Sequence, residues 1–107
     1  MKPDTALVCN MGVFTSTQHD AHIQNTTQLV QAIQSIQEVE NGYEFTFPNE
    51  TERIAQIAEF ISNERLCCPF LQFTLLVNSM SEPISVSLTG PVGTKEFLQA
   101  EFSGAFQ

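Results

Sequence analysis

The chain has 107 residues, enough for a single domain with one modest core and too few for two. Hydrophobic residues make up 42% and charged residues 15%, which excludes a compositionally disordered chain. Twelve acidic against four basic residues give a net charge of −8, which repels phosphate backbones and anionic membranes. We therefore expect residues 1–107 to form one domain that binds neither nucleic acid nor a membrane.

A first helix is predicted after the short apolar segment ALVCNMGVF. Thr15 or Ser16 suits its N-cap, because a side-chain hydroxyl can accept a hydrogen bond from a backbone N–H of the first turn. The apolar residues that follow recur at a loose helical spacing: Ile23, Leu29, Val30 and Ile33. The rest of the helix is rich in Gln and Thr, so we expect its other face to be solvated.

The dipeptide Asn41-Gly42 predicts a β-hairpin, because both residues accept the positive φ values of a type I′ turn. Aromatic and polar residues then alternate over YEFTF, which is typical of a strand with one buried face. Three rings lie on that face: Tyr43, Phe45 and Phe47. Their spacing favours a place in the core over a ligand cage.

A second helix is predicted over ETERIAQIAEFISNERLCC, with Asn49 and Glu52 as a variant of the capping box at its start. Its apolar stripe consists of Ile54, Ile57, Ala58 and Ile61. Pro69 disfavours helical geometry at Cys68, so the helix should end at the two cysteines. At helical spacing Cys68 continues the stripe and Cys67 lies toward its rim.

Two further strands are predicted, because apolar and polar residues alternate in LQFTLLV and in ISVSLT. The segment NSMSEP between them has the length of a hairpin loop. Pro91 suits the first turn of a last helix, in which Phe97, Leu98 and Phe102 face inward. The order α-β-β-α-β-β-α predicts an α+β fold, with an antiparallel sheet of about four strands in two hairpins and helices over one face.

The chain contains three cysteines, Cys9, Cys67 and Cys68, and neither a secretory segment nor a membrane span is recognisable. An odd number of cysteines without an export signal indicates reduced thiols in the cytoplasm. Neighbouring Cα atoms lie about 3.8 Å apart, below the usual disulfide range, so a bond between Cys67 and Cys68 would be strained. We therefore expect three free thiols.

The position of the vicinal cysteines at a helix C-terminus favours a metal site over a nucleophile. The negative end of the helix dipole disfavours a thiolate, whereas a bound cation is favoured there and deprotonates its thiols. If Cys9 converges with Cys67 and Cys68, three sulfur atoms would suit a soft ion such as Cu(I), Zn(II) or Hg(II), or arsenite. The alternative is that the cysteines pack in the core as small hydrophobic residues.

Four further residues are candidates for a supporting role at such a site. His19 and His22 are three residues apart on one helix face, where they either complete a metal shell or lie on the solvated side. Glu64 and Arg65 directly precede the cysteines. The arginine can bind carbonyl groups at the helix end or pair with a carboxylate.

The segment TGPVGTK resembles a phosphate loop only superficially. Its glycines, Gly90 and Gly93, are three residues apart and Lys95 is followed by Glu96, so the spacing of a P-loop is absent. Backbone N–H groups at the start of the last helix, with Lys95 nearby, leave a weak anion site as the prediction.

The segments ERLCCPFLQF, NGYEFTFP and LTGPVGTKEFL resemble those of a group of small bacterial proteins. These share an E-R-x-C-C-P-F-x-x-F core and an ending like T-G-P-x-G-x-K-x-F-L. The resemblance covers residues 9–102 and implies a single compact domain, but it brings no activity with it. The matching positions are Glu64, Arg65, Cys67, Cys68, Pro69, Phe70, Gly90, Pro91 and Lys95.

Three functional hypotheses follow from these observations. The first is a small cytoplasmic protein that binds a soft metal or metalloid ion through Cys67 and Cys68, helped by Cys9. The second is a non-catalytic interaction domain, as a homodimer, with the cysteines in its core. The third is a thiol-dependent enzyme, for which neither a Cys-x-x-Cys pair nor a catalytic-triad order is present in the sequence.

Overall fold

Helices and strands follow one another in the predicted order α-β-β-α-β-β-α in the computed structural model, which describes Leu7 and residues 9–106. The helices are α1 (Ser16–Ala32), α2 (Thr51–Cys67) and α3 (Thr94–Glu101). The strands are β1 (Ser35–Val39), β2 (Gly42–Phe47), β3 (Gln72–Leu76) and β4 (Ile84–Thr89). Short 3-10 turns at Met11–Val13 and Ser103–Phe106 flank the first and last helices. The predicted α+β class is confirmed.

The four strands form one antiparallel sheet in the order β1-β2-β4-β3. The two predicted hairpins are therefore joined side by side, with β2 against β4 in the middle. In this register Phe45 pairs with Val86 and Tyr43 with Leu88, so the apolar residues of both central strands lie on the same face.

The helices cover this apolar face and complete the core. Leu29 of α1, Ile57 and Phe60 of α2 and Leu98 of α3 are all buried in one cluster with the strand residues. The opposite face is polar, and neighbouring strands are linked there by side-chain hydrogen bonds such as that between Ser35 and Thr46 at 2.6 Å. Among the described residues, no helix is long and apolar enough to cross a membrane.

The hairpin between β1 and β2 forms as predicted, but its turn is shifted by one residue. Asn41 has a φ of 63°, whereas Gly42 does not have a positive φ and instead begins β2, paired with Val39. The glycine is required for another reason. A Cβ atom at this position would overlap the carbonyl oxygen of Leu88 on the neighbouring strand.

Two helix starts differ from the prediction. The N-cap of α2 is Glu50, and the predicted capping box is not formed, because the Asn49 amide instead donates hydrogen bonds to the carbonyls of Ser79 and Glu82. Pro91 lies before α3, which begins only after Gly93 turns the chain with a φ of 100°. By contrast, Thr15 caps α1 as predicted.

Candidate metal site

The N-terminal segment brings the first cysteine to the carbonyl end of α2. The N–H of Asn10 donates a hydrogen bond to the carbonyl of Cys67 at 2.6 Å, which holds the preceding residue, Cys9, beside the helix end. The Cα atoms of Cys9 and Cys68 are 4.5 Å apart although 59 positions separate them in the chain. The convergence on which the sequence-based hypothesis depended is therefore present.

Cys9 and Cys68 are joined by a disulfide, and Cys67 is the free cysteine. The expectation of three free thiols is thus wrong for this state of the protein. Pairing over such a distance in the chain is a tertiary contact that the sequence pattern does not reveal. The vicinal pair itself is not bonded, as the short Cα spacing predicted, and its sulfur atoms are 3.6 Å apart.

Both vicinal cysteines are fully buried, with 0% of Cys67 and of Cys68 exposed. The prediction that Cys67 lies at a rim is therefore wrong, because the N-terminal segment and α3 close over the end of α2. The Cys67 thiol donates to the Glu64 carbonyl at 3.5 Å. Pro69 ends the helix as predicted, with Cys68 as its C-cap.

Glu64 places a carboxylate among the sulfur atoms. Its position three and four residues before the cysteines puts all three side chains on one face of α2. The residue is only 2% exposed, and its carboxylate oxygens lie 3.8 Å from the sulfur of Cys67 and 3.4 Å from that of Cys68. A carboxylate this deeply buried requires a partner of opposite charge or a strong hydrogen bond.

His22 supplies that hydrogen bond from α1. Its Nε2 lies 2.7 Å from a Glu64 oxygen, and the ring is held between Phe14 and Phe60, with centroid distances of 5.5 Å and 5.8 Å. The interpretation of His22 as a solvated residue is wrong, since it is 3% exposed. His22 is therefore linked to the two cysteines of α2 through its hydrogen bond to Glu64.

Burial and the neighbouring carboxylates determine the protonation state at the site. The pKa of the Cys67 thiol is raised to about 12, mainly because the thiol is removed from water and to a smaller extent because of the charges of Glu64 and Glu101. Glu101 is exposed as a whole, but one carboxylate oxygen lies 4.0 Å from the sulfur of Cys9. Partial loss of water and the charge of Glu64 raise the pKa of Glu101, and His22 opposes this shift. The Cys67 thiol is therefore protonated at neutral pH.

The other predicted site residues are not gathered at this cluster. His19 is exposed and its Nδ1 lies 3.5 Å from Asp20. Arg65 is also exposed and makes no ion pair with any residue that the structure describes. Of these two adjacent residues, Glu64 is therefore buried at the cysteines and Arg65 lies at the surface.

Gly90, Gly93 and Lys95 lie around the start of α3, and none of them belongs to the group of possible metal ligands. The Lys95 ammonium is 2.6 Å from a carboxylate oxygen of Glu38 on β1, and this contact is the main reason why the pKa of Lys95 is raised. Since the lysine already has an anionic partner, the weak anion site stays a prediction.

Four residues offer ligand atoms close enough together for one metal ion. One atom each from Cys9, Glu64, Cys67 and Cys68 lies within 4.8 Å of all the others. Sequence reasoning found the three cysteines but assigned Glu64 a supporting role. The i, i+3, i+4 spacing of Glu64 with the cysteines was the signal for its inclusion. Nothing in the sequence indicated Glu101.

Comparisons of the chain with protein-family models, with curated proteins and with solved structures found no match. The resemblance to small bacterial proteins with the E-R-x-C-C-P-F-x-x-F core consequently stays a prediction. What the site can do is inferred from its own geometry and chemistry.

Proposed function

We propose that the reduced protein binds a soft metal or metalloid ion through Cys9, Cys67 and Cys68, with Glu64 as a fourth ligand. The observation that carries this proposal is that their ligand atoms lie within 4.8 Å of one another. Ligands about 2.3 Å from one ion are at most about 4.6 Å apart, so this set suits one ion once reduction lets the bonded sulfur atoms of Cys9 and Cys68 separate. The negative helix end and the net charge of −8 both favour a cation at this place.

Ion binding requires reduction of the Cys9–Cys68 disulfide first. A dithiol reductant supplies two electrons and two protons, its own sulfur atoms form a disulfide, and the protein gains two thiols. The incoming ion then displaces the thiol protons, which pass to solvent. We therefore place the function in a reducing compartment, in accord with the expected cytoplasmic location.

The carboxylate of Glu64 favours Zn(II) over the other candidate ions. Zn(II) accepts thiolate and carboxylate oxygen in one tetrahedral shell, whereas Cu(I) and Hg(II) prefer sulfur alone. Replacement of Glu64 by Gln should therefore weaken Zn(II) binding by about tenfold or more and leave Hg(II) binding nearly unchanged.

Titration of reduced protein tests the proposal. Protein freed of reductant under anaerobic conditions is titrated with Zn(II), Cu(I) or Hg(II) against a chromophoric chelator, and one ion per chain is expected. Cys67→Ser should weaken binding by at least about tenfold, since it removes a ligand. Glu59→Gln, which changes an exposed carboxylate of the same helix, should leave binding unchanged. Absence of stoichiometric binding for every ion would overturn the proposal.

The affinity should also depend on pH. Because the pKa of Cys67 is raised to about 12, its thiol is protonated at neutral pH and the ion must displace that proton. Each proton released makes the binding constant rise by about tenfold per pH unit. Competition titrations between pH 6 and 8 measure this slope, and a flat profile would show that Cys67 does not bind as a thiolate.

Complete burial of Cys67 and Cys68 favours a second candidate function, an interaction domain with the cysteines in its core. In that case Cys67→Ser lowers stability and the reduced wild type takes up no ion. Sedimentation then tests for the homodimer. A thiol-dependent enzyme ranks third, because the raised pKa of Cys67 opposes formation of a nucleophilic thiolate.

A further inference from the structure

The strand β3 lies at an edge of the sheet and has one side without a neighbouring strand. In the strand order β1-β2-β4-β3 it pairs only with β4. Among the described residues, no backbone group outside the sheet forms a hydrogen bond with Gln72–Leu76. The outward N–H and C=O groups of this strand can therefore pair with a further extended strand.

Sheet edges are normally protected by charged residues, by proline or by a bulge, and β3 has none of these. Residues 70–81 contain neither a charged residue nor a proline. The pairing of β3 with β4 is continuous, without a bulge. The other edge, β1, contains Glu38, whose carboxylate lies 2.6 Å from the Lys95 ammonium, and Glu40 follows the strand directly. Of the two edges, β3 is therefore the one that a further strand can approach.

Apolar side chains stay uncovered along this edge. Leu75 pairs with the buried Val86, so it lies on the face of the sheet that the helices cover, yet it is 38% exposed. The next two residues, Leu76 and Val77, are 49% and 43% exposed. Three consecutive apolar side chains thus remain in water at the end of β3, and their burial against a partner would be favourable.

Charge selects a second copy of this chain as the partner. Each copy carries a net charge of −8, so two copies repel one another unless they meet where charge is absent. At β3 that condition holds for both partners, because each offers the same uncharged strand. Two antiparallel copies of one strand exchange hydrogen bonds about a twofold axis, which makes the contact self-complementary. We propose that two copies pair through their β3 strands and form one continuous sheet.

This contact does not involve the candidate metal site. No residue of β3 belongs to the group of possible metal ligands, so the dimer is compatible with either candidate function and depends on neither. The charged edge β1 lies at both ends of the joined sheet. Association should therefore stop at two chains.

Sedimentation of the oxidised protein between about 1 μM and 1 mM tests the proposal. The mass should rise with concentration from that of one chain, 11.9 kDa, to that of two chains and no further. Because the Cys9–Cys68 disulfide is kept intact, the result is independent of ion binding. A mass that stays at one chain, or that grows beyond two, would overturn the proposal.

Lysine substitutions locate the contact. Leu76→Lys should raise the dissociation constant of the dimer by at least about tenfold, because two like charges then meet at the paired edge. Leu76 lies opposite Ser85 on the polar face, so the core is kept, which circular dichroism verifies. Thr74→Lys, at an exposed position of the same strand, should act in the same way.

The matched control is Gln37→Lys, which adds the same charge at an exposed position of β1 and should leave the dissociation constant unchanged. Two results would contradict pairing through β3. One is undiminished association of both β3 variants, and the other is an equal loss of association in Gln37→Lys.

Discussion

Glu64 is the residue on which the chemistry of this protein depends most. Its buried carboxylate contacts His22 on one side and the sulfur atoms of Cys67 and Cys68 on the other. A bound cation would therefore replace thiol protons as the neighbour of this charge. The same charge raises the pKa of both Cys67 and Glu101, so its influence can be measured at either group.

The thiol of Cys67 should be unreactive in the folded protein. Its pKa is about 12 instead of 9.0, which lowers the thiolate fraction at pH 8 by about a thousandfold, and the side chain is fully buried. Mass spectrometry after iodoacetamide treatment should show no adduct under native conditions. The same protein unfolded in guanidinium without reductant should gain one adduct per chain. Two or three adducts would contradict the Cys9–Cys68 disulfide, and rapid native labelling would contradict the raised pKa.

Replacement of Glu101 by Gln should stabilise the protein at neutral pH. A raised pKa in the folded state means that stability is lost as the pH rises through that value, because ionised Glu101 is partly removed from water and is also repelled by Glu64. The gain from the substitution is therefore absent below the ordinary pKa of 4.5 and grows above it. Since the residue is exposed, we expect only a few tenths of a kcal/mol.

Urea denaturation between pH 4 and 8 measures this difference in the free energy of unfolding. Glu96→Gln is the matched control and should show no comparable pH dependence. A loss of stability in Glu101→Gln at pH 7 would mean that the carboxylate makes a favourable contact.

At the scale of the elements, the hairpin of β1 and β2 needs glycine at position 42 because of the strand that lies next to it in the sheet. Asn41 takes up the positive φ, while Gly42 begins β2 where the backbone of Leu88 lies too close for any side chain. The close approach places Tyr43 and Phe45 in register with β4. Ile57 and Phe60 of α2 are buried in one cluster with these strand residues.

Gly42→Ala should therefore lower the free energy of unfolding by about 1 to 3 kcal/mol, because the added methyl group forces β2 and β4 apart. Chemical denaturation measures the change. Gly104→Ala provides the control, since no atom lies within 4 Å of a Cβ added there. Equal effects of the two substitutions would show that the added methyl group meets no steric obstacle at position 42.

At the scale of the whole molecule, a disulfide joins the N-terminal segment to the end of α2. Cys9 and Cys68 are 59 positions apart, so the bond restricts a large part of the unfolded chain. Its reduction should loosen the fold, and under the proposed function the ion that then binds compensates for this loss.

Reduction should lower the free energy of unfolding by roughly 2 to 4 kcal/mol. The thermal midpoint measured with and without dithiothreitol gives the effect, and Zn(II) added to reduced, desalted protein should raise the midpoint again. A Cys9→Ala variant lacks the bond and should not respond to reductant. If the wild type is equally insensitive, the disulfide does not form in solution.

The local pattern of this chain predicted its helices, its strands and the end of α2 at Pro69. These features depend on side-chain periodicity and on backbone preferences within a few residues, which a single sequence displays directly. The cysteine set was predicted for a different reason, because thiols are the side chains that soft ions prefer.

Only the tertiary structure decided the state and surroundings of those cysteines. The Cys9–Cys68 bond, the burial of His22 against Glu64 and the approach of Glu101 all join segments far apart in the chain. Such contacts depend on how the helices pack over the sheet, and charged or polar residues give no local signal that they will be buried together. The sequence by itself thus determined the elements and singled out the cysteines, while packing determined the protonation and the pairing of these cysteines.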